Sequence, residues 1–532
     1  KNNKIILFAN IAIMLFLISC KKDITDLNIN KNAATSIDPL YLVSTGLLRI
    51  GGEYENTRAV SIYASPLIQH TASTSNLWSG DKYWYNPEYS GAYMERHFTD
   101  VIKLFSQAIS LTKDKPSLVN INAMATILRV FDLHRMTDLY GDIPYTQAGY
   151  GLIDKDANWF PKYENQKDVY DAMIKDLKEA RDKLTVASTS VVAINPKQDF
   201  IYGGDISKWK KFANALLMRM ALRISNVDSE KAKVLFNEAN GNTFTANEDN
   251  ALINYLEGPQ GVNRNGLNDG YFGGRKYMIS ESIRVSKTFV NWMKTNNDPR
   301  LLIVCGGIGN PQKTASWNTD TAKQFGMPNG FTSANIADNL GSPSATALYK
   351  TSGDNGGANI FSFLNLNYLD WSDPYMLITF AEIELMRAEA ALKGWTADNA
   401  ETRFNNGIKA AIKNWTSFDA SFSRSDAVIN TYITNRGFAS KSTIDKLKLI
   451  GEEYWAATYL NDIESWCNWR RTGYPVLTPT NDANQAEPNT GIPRRLRYWE
   501  NEASSNPSNY KVAVTRMGND LFATKLWWDG GK

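Results

Sequence analysis

The sequence predicts a mainly α protein, a scaffold of tetratricopeptide-like helical hairpins that carries long ligand-binding loops and a few short strands. Three observations predict it. Apolar residues recur at three- and four-residue spacing over several long stretches. Two of those stretches are joined by a short glycine-containing turn. Between about residues 240 and 358 the periodicity gives way to Gly, Asn, Ser and Thr with scattered aromatics.

The helical stretches come in order along the chain. Tyr93 to Leu111 places Tyr93, Phe98, Val101, Ile102, Phe105 and Ile109 on one side. Asn120 to Leu139 carries Ile121, Met124, Ile127, Leu128, Phe131 and Leu133, and Val169 to Leu184 carries Tyr170, Met173, Ile174, Leu177, Ala180 and Leu184. Ile206 to Ile224 follows Asp205, a residue suited to capping a helix N-terminus. Pro374 to Leu392, Ala400 to Trp415 and Thr443 to Trp469 complete the set. The hairpin signal lies at 378–413, where Gly394-Trp395 separates two helices. Ala388, Ala390, Ala391, Ala410 and Ala411 would let them approach closely. An ordinary helical hairpin has the same signature.

The loop-rich block contains Tyr255, Tyr271, Phe272, Tyr277, Trp317 and Phe331, and reads as long loops with a few short strands. Long ordered loops on a rigid base are where binding residues concentrate. The domain reading is a leader at 1–19, a lipidated Cys20 with a tether to 32, and one domain over 33–532 with the insertion at about 240–358.

The leader reading rests on order. A basic start, Lys1-Asn2-Asn3-Lys4, precedes an apolar stretch from Ile5 to Leu17 and then Ile18-Ser19-Cys20. The apolar stretch is short of the roughly 20 residues that span a bilayer. Leu17-Ile18-Ser19-Cys20 resembles a bacterial lipobox, which implies a lipidated Cys20 as the mature N-terminus. A lipid anchor at a membrane surface is the expectation.

Charge excludes other partners. Lys plus Arg number 58 against 55 Asp plus Glu, so no strong global field is available to hold nucleic acid. The three histidines, His70, His97 and His134, show no metal-ligand spacing, and no cofactor is expected. Asp/Asn-rich loops lack EF-hand spacing for calcium. Cys305 follows an apolar run and Cys467 lies in a helical stretch; the sequence leaves a disulfide between them open.

Motifs in a fixed order carry a family resemblance. They are Leu139-Tyr140-Gly141-Asp142-Ile143-Pro144-Tyr145, the helix opening Asp205 to Asn214, and Asn297-Asp298-Pro299-Arg300-Leu301. Next come the Glu382 to Ala390 helix, Trp469-Arg470-Arg471-Thr472-Gly473-Tyr474-Pro475, and Ile492-Pro493-Arg494-Arg495 with Tyr498, Glu502 and Asn506. Leu526-Trp527-Trp528-Asp529 closes the series. Together they resemble the SusD/RagB family of outer-membrane nutrient-binding lipoproteins, most of all its second SusD-like branch. The motifs also have structural roles: a tight turn at Gly141 and Pro144, a cap at Asp205, and carboxylate pairing or helix capping by Arg470 and Arg471. The resemblance implies four tetratricopeptide-like pairs, capture of an oligosaccharide or an oligopeptide, and delivery to a SusC-type TonB-dependent barrel. It implies an outer-membrane location, lipid-anchored and facing the cell exterior, and no hydrolysis.

The residues themselves favour binding over catalysis. No Gly-x-Ser-x-Gly elbow occurs with a partner His. Gly306 to Thr314 has the look of a phosphate loop, but Pro311 or Gln312 stands where the Gly before Lys is required. A glycosidase carboxylate pair has no local signature, so a surface glycan hydrolase remains the alternative. Sugar rings stack on aromatics while their hydroxyls bond amides and carboxylates. Asn76 to Tyr85 supplies both densely. Trp78, Tyr83 and Trp84 are the leading stacking candidates, with Asn76 beside them, and packing against helices is the competing role for each ring. Tyr271, Phe272 and Tyr277 with Asn263, Asn265 and Asn268 form a second cluster.

Overall fold

The computed structural model describes residues 37–52, 57–151, 153, 159–186, 188–258, 263–268, 283–310, 313–351 and 358–532. Cys20 and the leader, and Tyr271, Phe272 and Tyr277, lie outside the described residues.

Helices dominate, and several pack against their neighbours in sequence. The longer ones are α1 (Pro39–Gly52), α2 (Pro87–Arg96), α3 (Lys103–Thr112), α4 (Val119–Tyr140), α5 (Gln166–Lys183), α6 (Ile206–Arg223) and α7 (Ser229–Asn240). After them come α8 (Lys287–Thr295), α9 (Pro343–Thr351), α10 (Phe380–Leu392), α11 (Ala400–Asn414), α12 (Asp426–Arg436), α13 (Thr443–Ala457), α14 (Asp462–Thr472) and α15 (Pro507–Met517). Successive pairs α3–α4, α4–α5, α6–α7 and α10–α11 pack side by side, and α13 lies on α10. Among the described residues, no helix is long and apolar enough to cross a membrane.

Local chemistry explains the boundaries. Asp205 caps α6, accepting from the backbone N–H groups of Ser207 and Lys208 at 2.9 and 3.2 Å. Asn165, Asn399 and Ser442 cap α5, α11 and α13 in the same way. In the α10–α11 hairpin, Gly394 takes φ +68° at the turn. At Gly407 a Cβ would lie 2.7 Å from the Leu385 side chain, so the two helices approach more closely there than alanine would permit. The small residues that signalled this hairpin sit where it closes: Ala388, Ala390, Ala410 and Ala411 are all buried.

Two expected helices are shorter than their apolar patterns. The stretch from Pro374 begins as a strand, β6 (Tyr375–Ile378), paired antiparallel with β2 (Ala251–Ile253). The helix starts only after Thr379, which shares a reciprocal capping box with Glu382. Thr443 to Trp469 is two helices, not one. The chain breaks at 458–461, where Leu460 takes φ +73°. Asn461 there accepts from Arg135 at 2.9 Å, a tertiary bond that one continuous helix would forgo.

The loop-rich block holds strands, as expected, but also helices α8 and α9. Strand β1 (Thr71–Ser73) pairs antiparallel with β3 (Ile283–Val285), while β4 (Cys305–Gly307) pairs with β5 (Phe363–Leu364). A small separate core of Met327, Ile336, Leu340, Tyr349, Ile360 and Phe361 closes this block over Ala72.

The motif residues converge on buried polar contacts. Helix α4 is buried on nearly every side, as is α14. Arg223 of α6 bonds Asp138 at 3.0 Å and Glu464 at 2.5 Å, and Arg219 bonds Glu382 at 2.6 Å. Arg300 holds both Asp298 and Glu453, at 2.6 and 2.7 Å. Arg470 donates to the Asp138 and Arg494 carbonyls and lies over the rings of Trp466 and Trp528. Asp142 accepts from Gln166 and Arg516, and Tyr498 donates to its carbonyl. Charges this deeply placed are tolerated because each meets an opposite charge or a carbonyl.

The histidines belong to the same interior. His70 meets Asp462 at 2.5 Å, His97 meets Asp132 at 2.8 Å, and His134 lies 3.4 Å from Asp138. Cys305 and Cys467 are both free thiols. Burial pushes each up to about 12, which keeps them protonated and unreactive.

Candidate functional site

The Asn76 to Tyr85 segment is held rigid from beneath by a buried ion pair. Lys82 Nζ lies 2.8 Å from Asp81 Oδ1, and neither side chain reaches solvent. Lys82 also donates to the carbonyls of Ser73 and Trp78, at 2.7 and 3.1 Å. Asp81 accepts from the backbone of Ser73 and of Gly330. These bonds satisfy both charges, so the loop is pinned to β1 on one side and to the 329–335 turn on the other. Gly80 fits only as glycine, since a Cβ there would stand 2.0 Å from the Ile62 carbonyl.

A third segment completes the face. Trp84 donates its indole N–H to Asp482 Oδ1 at 2.6 Å. Thr480 donates its backbone N–H to the Tyr83 hydroxyl at 3.1 Å and its own hydroxyl to the Asp81 carbonyl at 2.7 Å. Ala486 donates its backbone N–H to the Tyr83 carbonyl at 2.9 Å. Ser333 bonds the Thr74 carbonyl, bringing the 329–335 turn alongside. Three segments distant in sequence thus meet around one short loop.

The candidate residues divide sharply. Trp78 and Trp84 are both half-buried: Trp78 packs on the core edge, and Trp84 is held through its indole N–H by Asp482. Asn76 is exposed, with Leu77 next to it. Tyr83 is not on the face: it is 4% exposed and adopts φ +56°, which turns its ring inward. Burial accordingly pushes its phenol pKa up. Asn265 is also buried. Its amide donates to the Asp373 and Pro374 carbonyls and accepts from Leu267, so it ties a loop together and offers nothing outward. Asn268 does the same with the Tyr368 and Asp370 carbonyls. Tyr271 and Tyr277 lie outside the described residues.

Sequence reasoning missed the far side of this face. Asp482 sits in a run with exposed Asn481 and Asn484, and Asn335 is exposed on the 329–335 turn beside half-buried Phe331. A signal existed in the Thr-, Pro-, Asn- and Asp-rich stretch 478–490, which has loop composition and follows a helix. Its proximity to Trp84 has no local signature. The assembled face offers ring surface, amides and one carboxylate, and that carboxylate is already engaged by Trp84 and by the Asn484 backbone.

Comparison with known proteins places this architecture. The second SusD-like family model, described as starch-binding associating with outer membrane, matches residues 31–499. A solved structure described as a chitin-binding protein is 29% identical, with TM-score 0.76, covering 92% of this chain and 100% of its own. Another, described as Bacteroidetes AC2a SusD-like, is 28% identical with TM-score 0.79, covering 93% of this chain and 100% of its own. A SusD homologue from Bacteroides uniformis shares the fold at 22% identity and TM-score 0.73, covering 93% of this chain and 100% of its own. No curated protein matches. The helical-hairpin scaffold, the ordered motifs and the family match agree: the chain belongs to the SusD-like family of nutrient-binding proteins.

Proposed function

We propose that this protein captures an oligosaccharide at the cell surface and passes it, uncleaved, to a SusC-type TonB-dependent outer-membrane transporter. The observation that carries the reading is the pair Trp78 and Trp84, two half-buried rings set among exposed amides on a family scaffold described as starch-binding. Aromatic faces take the C–H faces of sugar rings, and amides take hydroxyls. The likeness to a chitin-binding protein points the same way. Anchoring through Cys20 would keep the face outward, because acyl chains bind membrane at about 0.8 kcal/mol per methylene. Cleavage would need two carboxylates flanking the bond. Of the described residues on this face, only Asp482 carries one, and it holds Trp84.

The test has two arms. The soluble body is incubated with glycan and peptide libraries, and mass spectrometry reads both binding and integrity. Retention of an intact glycan is the expected result; retention of peptides alone, or cleavage that depends on one Asp or Glu, overturns it. Mild detergent extraction should also recover the chain with a large outer-membrane barrel. A monomer, with that barrel expressed alongside, contradicts delivery.

A further inference from the structure

A cleft lies in the loop-rich block, and none of its lining residues belongs to the Trp78–Trp84 face. It has a volume of about 760 Å³ and is bounded by α9, the turn after β4 and the 322–325 segment. Phe325 and Leu348 give it apolar surface, and Asn310 and Asn318 also line it. A smaller cavity of about 470 Å³ adjoins it, sharing Lys294 and Ala322 as lining residues. The two form one groove with Lys294 at the junction.

The charge of this groove is one-sided. Lys294 and Lys323 line the larger part, and Arg424 lines the smaller. Among the described residues, no carboxylate pairs with any of the three. Lys294 donates to the Ala322 and Gln324 carbonyls, at 2.9 and 3.0 Å, which leaves one ammonium hydrogen uncommitted. Arg424 donates only to the carbonyls of Pro299, Ser421 and Ser423. Burial alone acts on its guanidinium, pulling its pKa down, with no carboxylate to oppose it. Among the described residues the one carboxylate lining the groove, Asp298, is held by Arg300. Arg436 and Arg403, by contrast, each sit against an acid, Glu452 and Asp398. Three cations without a carboxylate partner among the described residues thus stand beside apolar surface and two amides.

We propose that this groove binds an anionic oligosaccharide, one whose sugars bear carboxylate or sulfate groups. The cations would take the acid groups, the amides the hydroxyls, and Phe325 with Leu348 the apolar ring faces. The inference deepens the glycan-binding reading but places the acidic sugar at a different site.

The test uses the soluble body and four probes: a galacturonate hexasaccharide, a heparin hexasaccharide, maltoheptaose and a polyglutamate peptide. Titration calorimetry should detect one of the two acidic glycans binding, with affinity that falls as salt rises from about 50 to about 500 mM. Lys323→Glu, an exposed position, should weaken that binding by about tenfold or more. Arg424→Gln should weaken it too, and its melting temperature separates lost contacts from lost fold. Trp78→Ala with Trp84→Ala should leave the acidic glycan bound, whatever becomes of neutral glycans at the first face. The proposal is overturned if neither acidic glycan binds, if Lys323→Glu binds as the parent does, or if only polyglutamate binds. Loss of acidic-glycan binding in the double tryptophan variant also overturns it, since that result assigns all glycan binding to the first face.

Discussion

Trp84 and Asp482 are 398 residues apart in the chain and share one hydrogen bond of 2.6 Å, from indole N–H to carboxylate. The bond fixes the polar edge of a ring whose face is half exposed, with the Lys82 ammonium 5.8 Å from the ring centroid. A ring already held in place loses little rotamer freedom when a ligand arrives. Asp482→Ala should therefore weaken binding of a glycan identified by array by about 1 kcal/mol with little change in melting. Asp482→Asn, which keeps an acceptor, should stay near the parent. Calorimetry with tryptophan fluorescence reads both, and unchanged affinity in Asp482→Ala would show that Trp84 needs no such support.

Tyr83 should behave in the opposite way to its neighbours. It is buried and its hydroxyl accepts from Thr480 at 3.1 Å. Tyr83→Ala should cost about 3 kcal/mol or more of stability, and Tyr83→Phe about 1 kcal/mol. Denaturant unfolding measures both. A Tyr83→Ala protein of parental stability that had lost ligand binding would place this ring on the face after all.

The contrast between Trp84 and Tyr83 marks how far the sequence could be read. Helices with strong three-and-four spacing, such as α4 and α6, appear within a residue or two of their expected ends. Their apolar faces and caps are local signals. Where tertiary pairing decides, the pattern misleads: Tyr375–Ile378 is apolar enough for a helix but bonds to Ala251–Ile253 as a strand. The Thr379–Glu382 capping box was a legible marker of the true start. The stacking segment was legible from its composition. Which ring turns inward was not, because that depends on the left-handed backbone at Tyr83 and on a partner at Thr480. Asn265 looked like a ligand amide for the same reason. An amide that ties down backbone and one that binds sugar have the same sequence.

Arg471 and Glu389 join α14 to α10 through two parallel bonds of 2.6 and 2.7 Å. Burial pushes the Glu389 carboxyl up, but the Arg471 charge and hydrogen bonds outweigh it and hold it below its usual range. Arg471→Ala leaves that carboxylate buried with only Lys393, at 3.6 Å, and should cost about 3–5 kcal/mol. Arg471→Lys keeps the charge without the fork and should fall between. Equal stability of Arg471→Ala and the parent in urea would contradict the pair's role.

His134 should make the fold acid-sensitive. Burial pulls its pKa from 6.5 to about 4, against the opposing pull of Asp138. The unfolded chain therefore takes up a proton near pH 6.5 that the folded chain refuses until about pH 4. Stability from this group is present above pH 6.5 and lost as pH falls toward 4, by about 3 kcal/mol at most. His134→Leu removes the titration, so its urea midpoint should change less between those pH values than the parent's. An equal loss in both proteins would assign the acid sensitivity to other groups.

The ligand face itself is tested by changing Trp78 and Trp84 to Ala, singly, and measuring glycan affinity and melting temperature on the same samples. An anchoring ring typically contributes about 1 kcal/mol or more of binding, while a core ring contributes roughly 3–5 kcal/mol of stability. The expected result is an affinity loss in at least one variant with melting close to the parent's. If both variants melt early and neither loses affinity beyond its unfolded fraction, the two tryptophans are core, and the face proposed here is not where the glycan binds.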